Sequence, residues 1–202
     1  MLVIHAHVVK LIASHYVPAV IGFFGLGTGL LIWGGVDLFG IPPAGEDTSK
    51  ALVLWAVFIP GLVQFIVGLV LIIGLTWLNV FGYAKPLFFA SLAFLLFGLQ
   101  WIVVGLGTLK GAAIVPDGWM AIPYALLSIL GLIIFANVSD IPVMLVFVGL
   151  TLIHLNMIPT RFGIFKQGQK VGGVIELLLG LWIMYLTYAI ILDKVLNYKL
   201  WM

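Results

Sequence analysis

No cysteine occurs in the chain, which excludes a disulfide framework, a thiolate nucleophile and a Cys-ligated metal. Charge is nearly as scarce. Only 8% of the 202 residues are Asp, Glu, Lys or Arg, against about a quarter in an ordinary soluble domain. So few charges cannot cover the surface of a water-soluble fold, and a hydrophobic content of 64% excludes disorder. Lipid must be the solvent for most of this surface. A net charge of +2, with the basic residues scattered, gives no footprint for nucleic acid. Enzyme signatures are missing too: there is no GxSxG, no HExxH and no P-loop. The apolar runs hold a single histidine, His154, so a bis-histidine haem has no support. No cofactor, metal or catalytic role is expected.

What is present is a series of long apolar runs. Six of them approach the roughly 20 residues that a spanning helix needs, at about 17–36, 51–75, 86–106, 119–137, 141–158 and 171–192. Their continuity predicts helices rather than barrel strands, which would alternate. The expected fold is all-α, a six-helix transmembrane bundle over 17–192 with a short C-terminal tail over 193–202. GIPPAGEDTSK, NVFGYAK, GTLKGAAIVPDG and IPTRFGIFKQGQK break the runs, and VSD alone separates the fourth from the fifth, which predicts a tight helical hairpin. Residues 1–16, MLVIHAHVVKLIASHY, lack a basic n-region and read as an interfacial segment rather than a signal peptide. His5, His7 and His15 there are expected at the surface, since two histidines in a chain end make a poor metal site. Arg161, Lys166 and Lys170 form the densest basic cluster, and the positive-inside rule would put that loop in the cytoplasm and both termini outside, but Lys10, Lys85, Lys194 and Lys199 lie on the other side, four against five, and leave the orientation open.

Glycine is abundant at 24 residues, and Gly25 with Gly29 forms a GxxxG pair in the first span. Small residues let membrane helices approach closely, so this span is expected to pack along a small-residue stripe. Polar side chains within the runs are few: Gln64, Gln100, His154, Asn156 and Glu176. A charge at the bilayer centre costs about 2.5–3.5 kcal/mol on insertion scales. Glu176 lies too deep to reach water easily, so it must face a wet cavity, take a polar partner or be protonated. It reads as a pore-lining or pH-sensing carboxylate, or as an interhelical anchor. Gln64 and Gln100 read as packing hydrogen-bonders or as groups along a solute path. His154, one turn from the end of a short run, reads as interfacial, with pH sensing as the alternative.

Several of these residues fall in recognisable patterns. Ile175, Glu176, Leu179 and Trp182, the stretch Leu96–Phe97–Gly98–Leu99–Gln100–Trp101, and Gln64–Phe65–Ile66–Val67–Gly68 resemble the amide transporter and acid-gated urea channel family over residues 58–190. Pro18, Ala19, Gly22, Gly25 and Gly27, with Gln64, Gly68, Asn79, Phe81 and Gly82, are similar to motifs of the related acetate uptake transporters. The second resemblance places Leu26 where that family narrows its pore with Phe, and Phe89 at an aromatic pore position. The chain also departs from both. Val17 and Val20 replace an Asn and a Pro of the acetate motif, Leu177 replaces a Gly of the urea-channel motif, the paired Trp of the fifth span are missing, and Trp33–Gly34 stand where urea channels carry Asn. The resemblance implies a six-helix protomer with its own pore, assembled as a homo-oligomeric ring, usually a hexamer. The expectation is a channel or transporter in the lipid bilayer for urea, a short-chain amide or acetic acid. Its solute path would run along Leu26, Gln64, Phe89, Gln100, Trp101, Ile133 and Glu176, with Leu26, Phe89 and Ile133 forming the constriction. The alternative is a non-catalytic subunit of a larger membrane complex, with the polar residues as interhelical glue.

Overall fold

In a computed structural model, the described residues are 17–41, 43, 45–82 and 85–201. The expected interfacial segment, with His5, His7 and His15, lies outside them. The helices are α1 (Ala19–Phe39), α2 (Glu46–Ala56), α3 (Gln64–Thr76), α4 (Lys85–Leu109), α5 (Val115–Asn137), α6 (Ile141–Arg161) and α7 (Gly168–Leu196). A π-helical stretch, Val57–Val63, joins α2 to α3, so that both belong to one span. The six spans are long and apolar enough to cross a membrane, and the protein is an integral multi-pass membrane protein. No strand occurs among the described residues.

Each span packs on its neighbour in sequence, and α7 closes the circle against α1. Glycine makes the closest approaches possible. A Cβ on Gly34 of α1 would lie 2.9 Å from the Gly173 carbonyl oxygen and 2.9 Å from Glu176 Cβ, so no side chain fits there. A Cβ on Gly98 of α4 would meet the Phe65 nitrogen at 2.6 Å and the Gly61 oxygen at 2.7 Å. The expected stripe in α1 therefore splits into two faces: Gly25 and Gly29 abut Ile59 and Pro60 of the π stretch, while Gly27 and Gly34 abut α7.

The π stretch was not expected from the sequence. Pro60 has no N–H and its ring crowds the preceding turn, and a wider i→i+5 winding relieves the clash. The Gln64 backbone N–H bonds back to Gly61 rather than to Pro60. The VSD hairpin forms as expected. Ser139 turns the chain at φ 58°, Asp140 N–H donates to the Phe135 carbonyl at 3.0 Å, and Asp140 Oδ1 accepts from Val143 N–H at 3.1 Å as the N-cap of α6. Trp182 Nε1–H donates to the Pro142 carbonyl at 3.0 Å and clips α7 to the start of α6.

Candidate functional site

Three cavities inside the bundle adjoin one another through shared wall residues. The widest, about 410 Å³, is a vestibule between the C-terminal ends of α1 and α6 and the N-terminal end of α7, and its wall includes Trp33, Asp37, Arg161, Lys166, Gln169 and Glu176. It shares Trp33, Asp37, Ile153, Met157, Arg161 and Glu176 with a middle cavity of about 80 Å³, which adds Gln100, Trp101 and His154. That cavity shares Leu26, Phe97 and Leu150 with an inner one of about 30 Å³, lined by Phe23, Phe94, Phe147 and Gln64. The last volume is about one water's share of the liquid. The three cavities thus shrink from a polar outer one to an apolar inner one.

The polar groups along them are held from several elements. Asp37 Oδ1 accepts from Gln169 Nε2 at 3.0 Å, linking α1 to α7 at the mouth. Arg161 lies within electrostatic reach of Asp37, Asp117 and Glu176. Asn156 Nδ2–H donates to the Gly168 carbonyl at 2.8 Å and fixes the turn between α6 and α7. Gly34 leaves the room that the stem of Glu176 occupies.

His154 differs from its interfacial expectation. It is 3% exposed, because α6 continues to Arg161 and carries the imidazole into the bundle. Its ring stacks with Phe97 and Tyr124 at centroid distances of 5.6 and 5.7 Å. Nδ1 lies 2.7 Å from the Leu150 carbonyl oxygen and therefore carries a hydrogen. Nε2 faces the Gln100 side-chain amide at 3.1 Å. The Gln100 atom placed there is Oε1, so the roles in this contact follow from which ring nitrogens carry hydrogen.

Gln64 is fully buried. Its Nε2–H donates to the Pro60 carbonyl at 2.7 Å, the acceptor that the π winding leaves without the Gln64 backbone N–H. Among the described residues, the buried side-chain polar atoms without a hydrogen-bond partner are Trp33 Nε1, Gln64 Oε1 and Glu176 Oε2. All three belong to residues that line these cavities.

Of the residues expected along a solute path, Leu26, Gln64, Gln100, Trp101 and Glu176 fall on the cavity walls. Phe89 does not. It is buried behind Phe147, at a ring distance of 5.5 Å, in an aromatic cluster with Phe135. Ile133 does not either: it is 49% exposed on α5 and lines none of the three cavities. The reason is topological. α5 packs behind α6 and supplies no side chain to the three cavities, although its Tyr124 reaches the His154 ring. Asp37, Arg161 and Met157 also line the two outer cavities and were not expected from the sequence. Asp37 and Arg161 had a signal in their position, a carboxylate and a cation at the ends of two apolar runs, and Met157 had none.

No protein-family model matches the chain, and no curated protein matches it in sequence. A solved structure does match in fold. The structure of the bacterial acetate channel SatP is 17% identical, with a TM-score of 0.73, and the match covers 94% of this chain and 99% of that one. The two chains share a six-helix fold over nearly their whole lengths.

Proposed function

We propose that the protein is a channel or transporter for a small uncharged or weakly acidic solute such as urea, a short amide or acetic acid, with the path inside each protomer. One observation carries this reading: the buried polar atoms that lack partners belong to residues on the walls of these adjoining cavities. Unsatisfied buried polar groups are rare in native structures and call for an explanation. A passing solute would supply the missing partners. It would exchange hydrogen bonds with water for bonds to Glu176 and Trp33 at the inner end of the vestibule, then to Gln100, then to Gln64. An ion would have to shed its hydration at the waist of Leu26, Phe97 and Leu150 with nothing to replace it. In this reading Leu26 and Phe97, on the walls of both inner cavities, would shift for a solute to pass. The shared fold with an acetate channel agrees with this reading, and assembly as a ring of identical copies belongs to it.

The test is stopped-flow swelling of proteoliposomes under urea, acetamide and acetate gradients at two pH values. The expected result is faster entry than in empty liposomes for at least one solute, with acetate entry rising as pH falls and the neutral acid accumulates. Folded, inserted protein that speeds none of them would leave the non-transporting subunit as the better reading.

A further inference from the structure

Among the described residues lining the innermost cavity, Gln64 is the one with a polar side chain, and its amide is held in one orientation. A primary amide has a donor end and an acceptor end, and its orientation follows from its neighbours. Here the neighbour is the Pro60 carbonyl oxygen, 2.7 Å away. Only the amide nitrogen can face a carbonyl oxygen at that distance. The Pro60 oxygen is open to this bond because, at the end of the π stretch, the Gln64 backbone N–H bonds to Gly61 instead. The amide oxygen is thereby left buried and without a partner. Gln64 shares the wall of the innermost cavity with Phe23, Leu26, Phe94, Phe97 and Phe147, whose side chains carry no polar group.

We propose that Gln64, held by Pro60, is a specificity-determining residue that admits solutes carrying a polar hydrogen and rejects solutes that can only accept. The inference rests on the pore reading above. In an apolar surround a hydrogen bond to a fixed acceptor is strong, and two acceptors face to face are both stripped of water and unpaired. A neutral acid, an amide or urea offers N–H or O–H to Gln64 Oε1. An ionised carboxylate or a sulfoxide offers only lone pairs. The π stretch sets the polarity of the filter, because it frees the carbonyl that orients the amide.

The experiment compares acetamide, which has polar hydrogens, with dimethyl sulfoxide, a strong acceptor of similar width that has none. Each is followed by stopped-flow in proteoliposomes of the natural protein and of Gln64→Met, with empty liposomes as the baseline. The natural protein is expected to favour acetamide by about tenfold over that baseline. Gln64→Met keeps the side-chain length but removes the oriented amide. It is expected to bring the two protein-dependent rates within about threefold of each other, through both a fall for acetamide and a rise for the sulfoxide. Equal entry of both solutes through the natural protein would overturn the inference and leave the pore reading standing. The same holds if Gln64→Met changes both rates by one factor, as a merely structural role would. No entry of either solute through the natural protein would overturn the pore reading, and this inference with it.

Discussion

Glu176 and Gly34 are fitted to each other: the carboxylate stem occupies the space that a side chain at position 34 would need. Gly34→Val is therefore expected to destabilise the bundle by about 1–3 kcal/mol, the usual cost of overpacking. Thermal unfolding in detergent would show it as a lower midpoint, with solute entry reduced in parallel. His154 serves differently, joining α4 to α6 through Gln100 and two aromatic rings. His154→Leu removes the partner of a buried amide and should cost about 1–3 kcal/mol, while His154→Gln should recover part of that loss in the same melt. Gln64, Gln100 and Glu176 on the cavity walls stand out in the sequence because each is a polar side chain in an apolar run, whereas Asp37 and Arg161 stand at the ends of runs and read as ordinary loop charges. The exposure of Ile133 was not legible, since an aliphatic side chain reads the same whether it faces lipid or a pore. The depth of His154 was hidden by the polar residues after it, which made the helix look shorter than it is.

At the scale of elements, the spans were legible almost to their ends, because roughly 20 apolar residues between turn-forming stretches leave little choice. The VSD hairpin was legible for the same reason, and its Asp140 cap carries a plain expectation. Asp140→Ala should cost about 1 kcal/mol, read from the same melt. The π winding was not legible. Proline inside an apolar run announces a disturbed helix, but whether the chain kinks or widens depends on what packs against it, here Gly25 and Gly29 of α1. Pro60→Ala lets the regular winding resume and returns the carbonyl at position 60 to the backbone. The Gln64 amide is then free to turn. Dimethyl sulfoxide entry is expected to rise toward that of acetamide, in protein that still elutes as a single species.

For the whole molecule, the ring of spans closed by α7 on α1 leaves a central path walled by α1, α3, α4, α6 and α7, with α5 outside it. Composition spoke to the lipid environment and to the number of spans. It said nothing of which span is excluded from the wall, because that depends on tilt and packing between helices far apart in sequence. The vestibule opens on the side that carries Arg161 and Lys166, the side that the positive-inside rule would assign to the cytoplasm from this cluster alone.

The absence of cysteine allows the most direct test of the account, which holds that solute moves through these three cavities. Met157 lines both the vestibule and the middle cavity. Met157→Cys would be reconstituted and treated with a charged methanethiosulfonate reagent, with Ile133→Cys on the outer face as the control. The account predicts that labelling at position 157 abolishes most of the solute entry, whereas the treated position-133 protein conducts as before. Complete labelling at position 157 with solute entry unchanged would contradict it.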